Sequence, residues 1–388
     1  MLTSQKYYLM APGPSMIPER ILLEMAKPII HHRTKAFEAV LEKVRGQLKS
    51  VFQTKNEVLL LASTGSGAME ASIVNCFSPG DKVIAVRSGK FGERWAEQAK
   101  VFGLNVIPFD VQWGDAVDLN KFELLLNAHG DAKGILCQAC ETSTGVFHPI
   151  ETMAKLIKKR SETLFLVDAI TAMGITSLPT DEWGLDVVIS GSQKAFMLPP
   201  GLAMISFSEK AWKFNQTAKL PRYYFDAKST LDMAKKNQTP FTPAISLIHG
   251  LAIALEMIET ETLPKLFARH KRLAQATREA VQAVNLELLA KSPSDSITAV
   301  VAPHGIDGEK VFSHMQNKYN VTIIGGQDHL KSKIFRLGHM GYCGDFDILA
   351  MMGALEMTLK DFGHKFEMGK GVAAATVALH RELNRELK

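Results

Sequence analysis

Asp186-Val-Val-Ile-Ser-Gly-Ser-Gln-Lys194, running on into Ala195-Phe-Met-Leu-Pro-Pro-Gly201, is the stretch on which the reading of this chain turns. Val187, Val188 and Ile189 form a short β-branched run, the composition of a strand covered on both faces. Ser190-Gly191-Ser192 lets the backbone turn tightly and come close to something else. Lys194 is followed by Ala195, Phe196, Met197 and Leu198, so its amine has few routes to water. Burial lowers a lysine pKa toward the range where the neutral amine is a nucleophile. Such an amine forms a Schiff base with a carbonyl cofactor. Taken alone, the segment also reads as a surface lysine at a strand end.

On either side of this stretch, strand and helix patterns alternate. Apolar runs at 58–62, 82–86, 106–109, 134–140, 163–168, 186–190 and 202–207 read as strands. Between them, 68–76, 91–102, 119–126 and 150–159 carry helical spacing. That alternation predicts an α/β fold whose mostly parallel sheet has helices on both faces. Ligands of such sheets bind at the carboxyl ends of the strands. Residues 7–18 hold Pro12, Pro14, Pro18 and Gly13 and read as an extended arm. Helices are expected at 19–26, 34–52 and 244–261, while 208–242 reads as irregular and polar. Beyond 263 the pattern is α+β: helices at 265–284 and 308–318, strands at 297–301, 321–324 and 334–337, and two closing helices. The expected division is an arm (1–18), a large cofactor-binding domain (19–262) and a smaller C-terminal domain (263–388).

Composition narrows the function classes. A chain of 388 residues spans about two or three domain-sized units. Its 45 basic and 40 acidic residues are scattered, and a net charge of +5 makes no case for nucleic acid or a polybasic membrane patch. Cys76, Cys137, Cys140 and Cys343 are too few for a disulfide scaffold. Cys137-Gln-Ala-Cys140 has metal or redox spacing but no second such pair, and it ends an apolar run. It reads as two buried strand cysteines, and no metal is expected. The first residues lack a charged segment followed by an apolar one, and no apolar stretch nears the roughly 20 residues a membrane span needs. A cytoplasmic protein is expected.

Five places carry possible chemistry. Thr64-Gly-Ser-Gly67 separates a strand from a helix, where unpaired N–H groups and the positive dipole end suit a phosphate. The alternative is a plain helix cap on Ser63 or Thr64. Asp168 ends a buried strand, where a carboxylate needs a partner; a pyridinium nitrogen is one and a turn N–H another. Phe91 could stack on a flat ring or fill the core. Glu141-Thr-Ser-Thr-Gly145 adds hydroxyls at a further strand end. Arg336 follows an apolar strand and could grip a carboxylate with two hydrogen bonds, or form an internal ion pair. A phosphate cradle, a stacking ring, a pyridinium partner, a Schiff-base lysine and a carboxylate clamp together fit pyridoxal 5'-phosphate.

The sequence resembles the class V aminotransferases of the fold-type I pyridoxal phosphate enzymes, in the alanine–glyoxylate and serine–glyoxylate (serine–pyruvate) branch. Pro12-Gly-Pro14, Ser63-Thr-Gly-Ser-Gly-Ala-Met-Glu70, Trp113-Gly, Glu141-Thr-Ser-Thr-Gly145, Ser190-Gly-Ser-Gln-Lys194, Pro199-Pro-Gly201, Thr239-Pro-Phe-Thr-Pro243 and Arg336-Leu-Gly-His-Met-Gly341 occur in the family's order across almost the whole chain. By that resemblance Lys194 holds the cofactor aldehyde and shuttles protons, and Gln193 touches the phosphate. Thr64, Gly65 and Ser66 bind the phosphate, joined by Thr239 or Thr242 from the other subunit of a homodimer with sites at its interface. Asp168 pairs with the pyridine nitrogen, Ile170 lies against the ring, Thr142 lies near it, and Arg336 takes the substrate carboxylate. The implied substrates are a small amino acid and a 2-oxo acid. Phe91 stands where several relatives have tryptophan. Two rival readings are a cysteine desulfurase, for which Cys343 is the candidate thiol, and a hydrogenase-associated subunit. For the latter, four cysteines with one CxxC do not ligate a cluster in the usual way.

Overall fold

The computed structural model describes residues 6–386. Seven strands build the main sheet: β1 (Val58–Leu61), β2 (Lys82–Arg87), β3 (Asn105–Asp110), β4 (Gly134–Gln138), β5 (Leu164–Asp168), β6 (Val187–Gly191) and β7 (Ala203–Phe207). Their order across the sheet is β1-β7-β6-β5-β4-β2-β3. Every residue of β4, β5 and β6 is buried, as their apolar runs predict for central strands. β7 alone runs against its neighbours, pairing antiparallel with both β6 and β1. The loop from 192 to 202 turns straight back from β6 into β7, which needs no crossover helix.

Alternate residues of one strand feed two different cores. Phe165, Val167 and Val188 join Phe37, Leu41, Ile248 and Leu251 on one face. Leu164, Leu166, Val187 and Ile189 join Met69, Ile73, Phe77 and Trp95 on the other. The helices Lys35–Phe52 and Ile245–Glu261 cover the first face, and α1 (Gly65–Cys76) and α2 (Lys90–Val101) cover the second. The carboxyl ends of β1, β5 and β6 lie along one edge. That edge gathers the Thr64 turn, Asp168 and the loop bearing Lys194.

A second sheet holds β8 (Ile297–Val301), β9 (Ile324–Gly325) and β10 (Ile334–Gly338) in the antiparallel order β8-β10-β9. Its core, with Leu273, Phe335 and Leu355, includes Met10 from the N-terminal arm. The arm is extended, as its prolines predict, and it is held at both ends. Tyr8 and Leu9 pair in parallel with Val321 and Thr322, and Gly338 N–H donates to the Met10 carbonyl at 2.7 Å.

Four expectations need correction. Residues 208–242 are not irregular throughout: helices occupy Glu209–Thr217 and Ala227–Ala234. Their signals were the N-caps Ser208, which accepts from Ala211 N–H at 3.0 Å, and Asp226, which accepts from Lys228 N–H at 2.9 Å. The strand expected at 134–140 breaks at Ala139, whose N–H turns to the Asp168 carbonyl. That expected at 321–324 splits around Ile323. The helix expected from 68 begins at Gly65, so the Thr-Gly-Ser-Gly turn is its first turn. Among the described residues no helix is long and apolar enough to cross a membrane.

A Cβ at Gly338 would lie 2.2 Å from the Ala11 carbonyl oxygen and 2.4 Å from its carbon, main-chain atoms that cannot rotate aside. Gly338→Ala is therefore expected to cost about 2–4 kcal/mol and to open the arm to proteolysis between residues 6 and 18. An unchanged melting temperature and cleavage pattern would contradict this account of the arm.

Candidate active site

The Ser-Gly-Ser-Gln-Lys turn braces itself. Ser192 Oγ donates to the Pro199 carbonyl at 2.7 Å and accepts from Leu202 N–H at 3.2 Å. Ser192 N–H reaches the Leu202 carbonyl at 2.9 Å. The arm then locks the outer side. Ser15 Oγ donates to the Lys194 carbonyl at 2.8 Å, and Ser15 N–H to the Gln193 carbonyl at 3.0 Å. Lys194 Nζ donates to the Pro12 carbonyl. Gly13, at φ +101°, lies so close that a side chain there would occupy the lysine's own space. Burial pushes the Lys194 amine down to about 8, with Arg336 acting in the same direction and Cys140 and Asp168 against it. The surface-lysine reading is thus replaced by a buried amine.

Nine of the twelve predicted residues line one cavity of about 270 Å³: Thr64, Gly65 and Ser66, with Phe91, Thr142, Asp168, Ile170, Gln193 and Lys194. Thr64 is the N-cap of α1, but its side chain makes no capping bond. The N–H groups of Gly65 and Ser66, free of helix partners by geometry, have none elsewhere among the described residues. Gln193 Oε1 is also buried without a partner. An anion such as phosphate fits the unmet N–H groups of Gly65 and Ser66, whereas the Gln193 oxygen, an acceptor, calls for a donor.

Asp168 Oδ1 accepts from Ile170 N–H at 2.8 Å, so the turn-cap reading holds for one oxygen. Burial nevertheless pushes the carboxyl up to about 7, while Lys194 and Arg94 favour its ionised form. A cationic N–H in the cavity would be its missing partner, which is what a protonated pyridine offers. Thr142 Oγ1 and Thr171 Oγ1 share a 2.7 Å hydrogen bond on the cavity wall. The residues present therefore fit pyridoxal phosphate at its charged end and at its ring nitrogen.

Arg94 is a cavity residue that the sequence reading missed. Its guanidinium lies 4.9 Å over the Phe91 ring and donates to Ser66 Oγ at 3.3 Å. Its i,i+3 spacing from Phe91 on α2 was the available signal. Arg336 lies outside the cavity wall but touches it. Nη1 donates to the Thr142 carbonyl at 3.0 Å, while Nε and Nη2 share the Gly325 carbonyl at 3.0 and 2.8 Å. No carboxylate pairs with it among the described residues, which corrects the ion-pair alternative. Burial lowers it to about 10, so it stays charged at neutral pH. A guanidinium has five donors, and one hydrogen on each terminal nitrogen remains for a ligand.

Thr239 and Thr242 are not brought to this cavity. They line a separate small one with Tyr224 and Phe241. Cys343 is buried against the C-terminal core, its thiol pushed far up by burial. Cys137 and Cys140 are buried and unbridged, as expected of strand cysteines. Among the described residues no group of three or more His, Cys, Asp or Glu is arranged to hold a metal ion.

Known proteins resemble this chain along almost its whole length. The sequence profile described as Aminotransferase class-V matches residues 7–343. The soluble hydrogenase small subunit of Synechococcus sp. (strain PCC 6716) is 45% identical over 379 residues, covering 96% of this chain and 98% of that protein. L-aspartate–glyoxylate aminotransferase of Paracoccus denitrificans is 38% identical over 381 residues, covering 96% of each chain. The crystal structure of alanine–glyoxylate aminotransferase from Nostoc sp. superimposes with a TM-score of 0.88 at 30% identity, covering 92% of this chain and 96% of that one.

Asp168 supplies a test that needs no ligand. Its pKa is raised from 3.8 to about 7, so between those values the unfolded chain releases a proton that the folded one keeps. Stability therefore falls as pH rises through that window, and the penalty is complete above it. Cofactor-free Asp168→Asn should match wild type near pH 4 and exceed it by roughly 2–4 kcal/mol above pH 7. Equal urea stability at pH 8 would refute the unpaired carboxylate.

Proposed function

The chain belongs to the class V aminotransferases and is a pyridoxal phosphate-dependent transaminase; from that premise, we propose that it moves the amino group of alanine or serine to glyoxylate or pyruvate. The observation that carries the reading is the Lys194 amine, buried and lowered to about 8, in one cavity with a donor-rich helix N-terminus and the unpaired Asp168. The bound cofactor supplies a carbonyl that takes the amino group and a ring that accepts electrons as the substrate Cα loses its proton.

The chain's own residues do the rest. The Gly65 and Ser66 amides, the Thr64 hydroxyl and the Gln193 side-chain NH₂ would hold the phosphate. Asp168 keeps the ring nitrogen protonated, and Phe91 and Ile170 confine the ring. Lys194 Nζ, released from the Pro12 carbonyl, would take the proton from the substrate Cα and carry it within the cavity. With a pKa near 8 a useful fraction of that amine is neutral at physiological pH. The spare hydrogens of Arg336 orient the substrate carboxylate.

A homodimer would complete the site. Thr239 and Thr242 do not reach this chain's own cavity, and Tyr223 beside them is 81% exposed and packs on Phe241. In the reading offered here, one of these threonines serves the partner's phosphate. A sulfur-transferring reading would need Cys343 to leave its core. The residues of the cavity also offer no cluster-ligating set to match the name of the Synechococcus relative.

The substrate reading is tested by incubating the protein and pyridoxal phosphate with glyoxylate or pyruvate and one donor at a time, and following the new amino acid by chromatography. Serine or alanine should be used at least about tenfold more efficiently than aspartate. A preference for aspartate would overturn the donor assignment, and no transfer from any donor would overturn the reaction. Arg336→Ala should lower kcat/KM by roughly a hundredfold, the worth of a charged hydrogen-bonded pair.

A further inference from the structure

We propose that Glu141 is a positioning residue, whose carboxylate fixes both the ring-stacking Phe91 and the turn that carries Thr142 and holds Arg336. The inference rests on the pyridoxal phosphate reading above. Glu141 is fully buried, a rare state for a carboxylate unless its charge is matched. No cation pairs with it directly among the described residues. Donors from two segments converge on it instead. From its own turn come Ser143 Oγ at 2.6 Å and Ser143 N–H at 3.0 Å. From the first turn of α2 come Phe91 N–H at 3.1 Å and Gly92 N–H at 3.0 Å.

The N-cap of α2 is Gly89, which has no side chain to cap the helix as Ser208 and Asp226 cap theirs. Here the cap arrives from another segment, and a helix N-terminus suits its negative charge. The helix start is therefore tied to the 141–145 turn. The tie is doubled by Lys90 N–H, which donates to Ser143 Oγ at 3.0 Å. It is also closely packed, since a Cβ at Gly89 would stand 2.4 Å from Glu141 Cγ.

Each end of the tie bears a cavity residue. Phe91 contributes one of the bound N–H groups, and its ring lies on the cavity wall. Thr142 follows Glu141 directly, bonds Thr171 through its hydroxyl, and gives its carbonyl to Arg336 Nη1. The negative charge of Glu141 also favours the charged form of Arg336. One buried carboxylate thus sets the distance between the ring-stacking face and the carboxylate clamp.

Glu141→Gln keeps the shape but turns an NH₂ toward groups that are themselves donors. Pyridoxal phosphate affinity, read by fluorescence quenching on protein shown to be folded by circular dichroism, should fall about tenfold or more. KM for the amino donor should rise as well, because Arg336 loses its reference. Competition by inorganic phosphate should stay at the wild-type level, since the Thr64–Ser66 turn is untouched. Ser143→Ala removes one donor to Glu141 and the Lys90 contact, and should act in the same direction by about threefold. It carries the test if Glu141→Gln does not fold. Variants that melt lower yet bind the cofactor and the donor like wild type would overturn the positioning role. Wild-type protein that takes up no pyridoxal phosphate would bring down the functional reading first, and this inference with it.

Discussion

The burial of one amine governs the rest of this structure. Lys194 sits on a loop at the edge of a seven-stranded sheet, where a free lysine would turn to water. It is kept from water by the N-terminal arm, whose Pro12 carbonyl accepts from Nζ and whose Ser15 bonds the main chain on either side of the residue. The arm is in turn held by Thr322 and Gly338 near the second sheet. The reactivity of the lysine therefore depends on contacts made by both ends of the chain. That dependence accounts for a proline-rich segment with no chemistry of its own.

Much of this was legible in the sequence because it rests on local composition. The β-branched run before Ser190, the small residues after it and the Thr-Gly-Ser-Gly turn each announce a strand end, whatever lies far away. Thr64, Gly65, Ser66, Phe91, Asp168 and Lys194 could be named on such local signals, whereas Gln193, Ile170 and the place of Thr142 followed only from the family resemblance. What was hidden depends on distant partners. Arg336 reads as an ion-pair candidate, because nothing in the sequence shows the Gly325 and Thr142 carbonyls that take three of its hydrogens. Arg94 carries no local signal beyond its i,i+3 spacing from Phe91, and its partner Ser66 lies on another helix. Glu141 looked like part of a hydroxyl-rich turn, because its reach to α2 spans about fifty residues of sequence. The direction of β7 was likewise invisible, since an apolar run has no sign.

The charges of the site are balanced in a way that favours a bound ligand. Lys194, Asp168, Glu141 and Arg336 are all buried, and burial works against the charged form of each. Asp168 and the amides of Gly65 and Ser66 have unmet capacity, one for a cation and the others for an anion. A ligand with a cationic ring nitrogen and an anionic tail answers both. Relatives of this chain bear the names of aspartate–glyoxylate and alanine–glyoxylate aminotransferases. The cavity core is suited to the transfer they share, and the donor side chain must be sorted by residues around it.

The measurement closest to the central claim is the visible absorption of the purified protein titrated with pyridoxal phosphate, beside that of Lys194→Ala. The account predicts a band in wild type, absent from the variant, that shifts when an amino donor is added and returns with a 2-oxo acid. A wild-type spectrum identical to that of Lys194→Ala would mean that the buried amine does not hold the cofactor, and would contradict the account at its foundation.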